Sequence, residues 1–164
     1  MVAIEKILSE MIEYSEGNIH DVNHFLKVWG LAQTVGKLEG LDEKTQYILE
    51  TAAIVHDIAC PLCREKYGDT YGELQEKEGG ALTEEFLSKC GVEPDIIERV
   101  SYLVSHHHTY DLVDGPDYQI LLEADFLVNA NEEMSSEDTI RAMRKNVFKT
   151  ESGKNLLDHM YSLH

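Results

Sequence analysis

The sequence predicts a single all-helical domain. Apolar residues recur at the three- and four-residue spacing of amphipathic helices, beginning with Ile4, Ile7, Leu8 and Met11. No segment shows the sustained two-residue alternation of β-branched residues that is typical of strands. A chain of 164 residues is long enough for one core and short for two domains. We therefore expect one compact bundle of about six to eight helices.

The first three helices are predicted from apolar stripes and from the residues that end them. The first helix covers about residues 2–15, before Gly17, and the second covers about residues 19–39, before Gly40. Asp42 can cap the third helix, because its side chain can accept hydrogen bonds from the first backbone amides.

The rest of the chain continues the helical pattern after one irregular stretch. Residues 61–76 contain one proline and two glycines and are predicted to form a loop. Pro94 suits the first turn of a later helix. Five further helices are expected, over about residues 75–89, from 94 to about 106, over about 118–129, from about 135, and over about 152–162.

The composition argues against several classes of partner. Lys and Arg total 14 against 31 Asp and Glu, which gives a formal net charge of −17. A nucleic-acid polymer or an anionic membrane surface would need basic patches, so neither is expected as a partner. The chain has no apolar run of membrane-spanning length, no signal-peptide pattern, and an odd number of cysteines. We expect a cytoplasmic protein from these features.

The segment Thr51–Cys60 places two polar residues inside an otherwise apolar or small-residue run. His56 and Asp57 are adjacent there, and the nearest basic side chains along the chain are Lys44 and Arg64. A buried, unpaired carboxylate is costly, so either a distant basic residue pairs with it or the two residues together bind a cation. The metal interpretation is favoured.

Two further polar residues interrupt apolar helical stripes. His24 lies in the second predicted helix and Asp125 in the sixth. Together with His56 and Asp57 they offer imidazole and carboxylate ligands from three helices. This donor set suits Mn, Fe, Co, Ni or Zn better than Mg.

Three local strings give the chain a resemblance to a known family. They are Asp21–Val28 around the first histidine, Ala53–Ile58 around the histidine–aspartate pair, and Leu122–Val128 around the last aspartate. In this order and spacing they resemble the HD-domain superfamily of metal-dependent phosphohydrolases. The resemblance covers about residues 18–131, which would form the core of one HD-type domain spanning residues 1–164. Residues 132–164 would be a C-terminal helical extension.

The resemblance implies a metal site between core helices, with His24, His56, Asp57 and Asp125 as ligands of a divalent transition metal. Binuclear members of the superfamily hold a second metal with histidines that precede the last aspartate. His106 and His107 are the candidates for that role. Such members also carry a histidine near the start of the fourth helix. This chain has Glu76 and Glu78 there instead, so a full second site does not follow from the resemblance.

The resemblance also implies hydrolysis of a phosphate ester of a small metabolite, with a nucleotide as the first expectation. A divalent metal lowers the pKa of bound water and so supplies a hydroxide nucleophile. Asp57 is the candidate catalytic residue, as acceptor of the water's proton. The candidates for binding the substrate phosphate are Lys27, Arg64 and Lys66.

Other activities remain open from the sequence. The same helical cage could serve a phosphodiesterase of dinucleotides, a diiron oxygenase, or a non-catalytic sensor that binds metal or nucleotide. The expected partner in the leading interpretation is a small phosphorylated substrate. Exposed stripes on the first helix or on the C-terminal helices could also pair two copies of the chain as a homodimer.

Overall fold

The computed structural model describes residues 1–164 as nine α-helices without strands. In chain order they are α1 (Ile4–Tyr14), α2 (Ile19–Leu38), α3 (Glu43–Val55), α4 (Cys60–Tyr67), α5 (Gly72–Cys90), α6 (Pro94–His106), α7 (Pro116–Glu132), α8 (Glu137–Asn146) and α9 (Glu151–Met160). None of these helices combines the length and the apolar composition needed to cross a membrane. The prediction of an all-helical domain is confirmed.

The centre of the fold is α3, which is buried on every side from Gln46 to its end at Val55. All residues from Ala52 to Val55 are fully buried, in a core of 28 buried residues. Helices α1, α2, α6 and α7 pack around α3. A helix that packs against neighbours on all sides is expected to be mostly apolar all round, as α3 is in its second half. The histidine–aspartate pair follows directly at the buried end of this helix.

Side-chain caps start four of the helices, α2, α3, α8 and α9. Asn18 accepts a hydrogen bond from the Asp21 amide at the start of α2, and Asp42 accepts one from the Thr45 amide at the start of α3. Ser136 caps α8, one residue later than the start predicted at Ser135. Each cap satisfies a backbone donor that has no partner within its own helix.

The prediction of a loop over residues 61–76 is wrong for most of that range. Helix α4 occupies Cys60–Tyr67, and α5 already begins at Gly72. Pro61 lies in the first turn of α4, where the missing amide hydrogen is not needed. Gly68 ends α4 with a left-handed φ of 70°. The residues that suggested a loop therefore mark the two ends of a short helix.

The last two helices pack on the outer side of α7. A second, smaller cluster of six buried residues joins α8 and α9 to α7, through Leu127, Ile140, Phe148 and Leu157 among others. This packing ties the C-terminal segment to the helix that carries Asp125. The division into a core of about residues 18–131 and an extension remains a prediction.

Candidate metal centre

A polar cavity of about 370 Å³ opens where the ends of several helices meet. His24 reaches it from α2, Asp125 reaches it from α7, and Asp57 reaches it from the turn after α3. His56 lies immediately behind, with no exposed surface. Residues that are about a hundred positions apart in the sequence are thus brought to one point by the packing of α2, α3 and α7.

The side-chain atoms of these four residues converge closely. His24 Nε2 lies 3.1 Å from His56 Nε2, 3.1 Å from Asp57 Oδ2 and 3.2 Å from Asp125 Oδ1. His56 Nε2 lies 3.3 Å from Asp57 Oδ2 and 3.2 Å from Asp125 Oδ1. The structure therefore brings together the four residues that the sequence predicts as metal ligands.

The hydrogen bonds of the two histidines turn their free nitrogens toward this point. His56 Nδ1 donates to the Ala53 carbonyl at 2.7 Å, and His24 Nδ1 lies 3.0 and 3.1 Å from the two carboxylate oxygens of Glu132. A neutral imidazole that donates from Nδ1 keeps a lone pair on Nε2. Two lone pairs and two carboxylate oxygens then face one another, an arrangement that a bound cation stabilises.

A buried atom at the same point supports this fit. Asp125 Oδ1 is fully shielded from solvent and makes no hydrogen bond. The polar atoms nearest to this buried oxygen are the two histidine Nε2 atoms, each 3.2 Å away, and a neutral histidine with its hydrogen on Nδ1 donates nothing to it. A bound cation would replace the water that this oxygen has lost on burial. The mixed imidazole and carboxylate donors suit a divalent transition metal, so the residues present fit the group that the sequence predicts.

Protons compete with a metal for this cluster. Burial lowers the pKa of His24, but the adjoining carboxylates of Asp125 and Asp57 outweigh burial and raise that pKa to about 10. Burial likewise lowers the pKa of His56, and the charges of Asp57 and Asp125 raise it well above its usual value. Burial raises the pKa of the Asp57 carboxyl, whereas the His56 charge holds it well below the ordinary range. The cluster therefore attracts positive charge strongly.

A second group of potential ligands adjoins the first. Asp57, His107 and His108 offer ligand atoms that all lie within 4.8 Å of one another. His107 Nε2 is buried, lacks a hydrogen bond, and lies 3.5 Å from Asp57 Oδ1. His107 Nδ1 donates to the Val104 carbonyl at 2.7 Å, so its Nε2 also carries the lone pair. The two oxygens of Asp57 thus face different groups of histidines.

The structure does not bring His106 into either group. Its Nδ1 lies 2.7 Å from the Tyr102 carbonyl, and its ring stacks on Tyr102 with the ring centroids 4.2 Å apart. His108, which the sequence interpretation did not single out, takes part instead. The Glu76 carboxylate accepts hydrogen bonds from the His108 amide and the Thr109 hydroxyl, so it holds the loop that carries these histidines.

The three basic residues predicted to bind phosphate occupy different environments. Arg64 is the only Lys or Arg that lines the cavity, and its guanidinium donates two 2.8 Å hydrogen bonds to Asp21. Lys27 lies outside the cavity, with its Nζ 3.4 Å from Glu132 Oε1. Lys66 also lies outside and pairs with Glu78 at 2.8 Å.

Comparison with known proteins shows the family of this chain. The sequence model of the HD domain matches residues 21–144, which include every residue of both ligand groups. The crystal structure of a predicted HD superfamily hydrolase from an uncultured Thermotogales bacterium is similar to this chain, with a TM-score of 0.66 and 22% sequence identity. That similarity covers 97% of this chain and 83% of the Thermotogales chain. No protein of curated function matches the sequence. HD domains bind divalent metals. The chain, with its paired histidine and aspartate at the buried end of α3, belongs to the HD domain family.

Proposed function

We propose that this protein is a metal-dependent phosphohydrolase that cleaves a phosphate ester of a small metabolite, with nucleotides as the leading substrate class. The observation that carries the proposal is the convergence of four potential ligand atoms beside an open cavity. The two histidine Nε2 atoms lie 3.1 Å apart, and each lies 3.1 to 3.3 Å from one oxygen of Asp57 and one of Asp125. A buried structural pair of His56 and Asp57 would need neither a cavity nor a second histidine and a second carboxylate at the same point. The family supports hydrolysis of phosphate esters as the reaction class.

When bound, a divalent metal lowers the pKa of a coordinated water and polarises a phosphoryl oxygen. His24, His56, Asp57 and Asp125 would hold it. The two carboxylate oxygens of Asp57 face different residues. Oδ2 faces His24 and His56, and Oδ1 faces His107. The Oδ1 atom can therefore accept the proton of an attacking water, which is the catalytic role that we assign to Asp57.

Arg64 is the residue best placed to bind the substrate phosphate. Its planar guanidinium can donate two parallel hydrogen bonds to two phosphate oxygens. The same donors contact Asp21 in the structure, so an incoming phosphate would compete with that carboxylate for Arg64. The rest of the cavity lining contains five carboxylates and no second Lys or Arg, which favours substrates with one phosphate group over polyphosphates.

Release of inorganic phosphate tests the proposal. Metal-stripped protein, resupplied in turn with Mn²⁺, Co²⁺, Ni²⁺, Zn²⁺ or Fe²⁺, is assayed against a panel of nucleoside monophosphates and sugar phosphates. We expect metal-dependent turnover of at least one ester by the wild type and its loss in Asp125→Asn, which keeps the shape of the side chain. A metal-loaded wild type that releases no phosphate from any ester of the panel would contradict the proposal.

A second candidate activity is supported by the group of Asp57, His107 and His108. Two metals sharing Asp57 could support oxygenase chemistry when both are iron. Oxygen uptake by the iron-loaded protein distinguishes this activity, because hydrolysis consumes no oxygen. Phosphate release with Mn²⁺ or Co²⁺, and no oxygen uptake with iron, would leave the hydrolase as the function.

A further inference from the structure

The carboxylate of Glu132 contacts His24 at Nδ1, the ring nitrogen that faces away from the other potential ligands. Its two oxygens lie 3.0 and 3.1 Å from His24 Nδ1, on the side of the ring opposite the ligand atom Nε2. The Glu132 side chain is 14% exposed, and His24 is 5% exposed. No other hydrogen bond of the structure involves His24 Nδ1, so Glu132 alone holds this edge of the ring.

This contact decides which nitrogen of His24 faces the centre. Because a carboxylate can only accept, it retains the hydrogen on Nδ1 and leaves the lone pair on Nε2. It also restrains rotation of the ring about the Cβ–Cγ bond. Partners of this kind raise the basicity of a ligating histidine and hold it in its binding orientation.

Two basic side chains hold Glu132 in turn. Lys27 Nζ lies 3.4 Å from Glu132 Oε1, and His20 Nε2 lies 3.7 Å from Glu132 Oε2. His20, His24 and Lys27 share one face of α2, four and three residues apart. Lys27 therefore supports Glu132, and through it the histidine, rather than reaching into the cavity.

We propose that Glu132 is a positioning residue of the metal centre, which orients His24 for metal binding and is itself anchored by Lys27. This inference rests on the proposed metal-dependent function, because it assigns His24 the role of a ligand. It adds a residue that the four-ligand pattern does not contain.

The test measures the dissociation constant for Co²⁺ by competition with a chromophoric chelator, in Glu132→Ala, Glu132→Gln and Glu133→Ala. Glu133 is the matched control, since it is the next residue, carries the same charge and lines the same cavity without a hydrogen bond to His24. We expect Glu132→Ala to weaken Co²⁺ binding by about 10- to 100-fold. Glu132→Gln should weaken it less, because the amide oxygen can still accept from Nδ1.

The visible spectrum of the Co²⁺-loaded protein gives a second readout that reports ligand geometry directly. It should change in Glu132→Ala and remain that of the wild type in Glu133→Ala. Thermal unfolding of the metal-free variants shows whether each one folds, and Glu132→Gln carries the test if Glu132→Ala does not. Affinities of both Glu132 variants within about twofold of the Glu133→Ala value would overturn the positioning role. A wild type that binds no Co²⁺ would instead contradict the proposed metal-dependent function itself.

Discussion

Three histidines of the centre share one orientation. His24, His56 and His107 each present Nδ1 to an acceptor, which is the Glu132 carboxylate for the first and a backbone carbonyl for the other two. The carbonyls belong to Ala53 and Val104, three residues earlier in each case, so the ends of α3 and α6 set the ring orientation locally. Their Nε2 atoms are therefore positioned for a ligand before any ligand arrives, which reduces the ordering needed on binding.

The raised histidine pKa values make metal binding dependent on pH. Since the pKa of His24 is about 10, this ring is protonated at pH 7 when no metal is bound, and a metal must displace that proton. The pKa of His56 is shifted in the same direction. We expect the metal dissociation constant to fall about tenfold per pH unit for each displaced proton as the pH rises from about 6.5 to 9.

Calorimetry of metal binding in buffers of different ionisation enthalpy checks this prediction, because released protons are taken up by the buffer. One to two protons released per metal at about pH 7 would agree with it. An affinity that is the same at all these pH values, with no proton release, would contradict it.

Among single residues, the sequence predicted the four that meet at the centre but missed Glu132 and His108. Glu132 could have been found, because Asp125, Asn129 and Glu132 are spaced four and three residues apart on α7 and all line the cavity. His108 could not, because α6 ends at His106 and the following turn decides which of three consecutive histidines faces Asp57. Helical periodicity carries no information beyond the last helical residue.

At the scale of the element, α4 connects the ligand pair to the wall of the cavity. Cys60 begins this helix three residues after Asp57, and Arg64 lies one turn further on, where its side chain reaches Asp21 of α2. A flexible loop would not hold the guanidinium at one place. Pro61 and Gly68 predict a loop here because both residue types interrupt helices, but the same residue types also occur at helix ends.

Removal of the Arg64 side chain should weaken substrate binding. We expect Arg64→Ala to raise KM for the phosphate ester about 10-fold or more, because a charged hydrogen-bonding pair to the phosphate contributes about 1.5–3 kcal/mol. Steady-state kinetics with the ester identified by phosphate release measures this change. Arg141→Ala is the control, since Arg141 pairs with Glu137 on the exposed side of α8. An unchanged KM in Arg64→Ala would exclude Arg64 from phosphate binding.

Gly153 lets helix α9 pack closely against Glu123 of α7. The Glu123 carboxylate is fully buried and accepts hydrogen bonds from the Thr150 hydroxyl at 2.6 Å and from the Gln119 amide at 2.6 Å. A Cβ atom at Gly153 would collide with Glu123 Oε1. The C-terminal helices are thus attached by a close contact that any larger residue at position 153 would disturb.

We expect Gly153→Ala to lower the free energy of unfolding by about 1–3 kcal/mol, because the added methyl group has no space. Urea denaturation measures this change. The matched control is Gly30→Ala on α2, where a Cβ meets nothing within 4 Å. That control should raise the free energy of unfolding by about 0.4–1 kcal/mol, since alanine restricts the unfolded chain. Equal stability of Gly153→Ala and Gly30→Ala would show that α9 does not pack on Glu123 as described.

At the scale of the whole molecule, the fold concentrates negative charge around one point. The chain carries a formal net charge of −17, and Asp21, Asp57, Asp125 and Glu132 all line the same cavity. A divalent cation would offset part of this charge, and it would link α2, α3 and α7 at their ligands. The sequence predicted this convergence from the polar residues in apolar stripes. It could not predict the cavity, which depends on how α4 and α5 close over the site.

Metal content shows whether His24, His56, Asp57 and Asp125 hold a metal ion. Purified wild type is compared by elemental analysis with His56→Ala and Asp57→Ala, each after resupply with Mn, Fe, Co, Ni or Zn and removal of unbound metal. We expect about one ion per wild-type chain, or about two if the group of His107 and His108 also binds metal, and loss of the metal in both variants. A folded wild type that retains none of these metals would contradict this expectation.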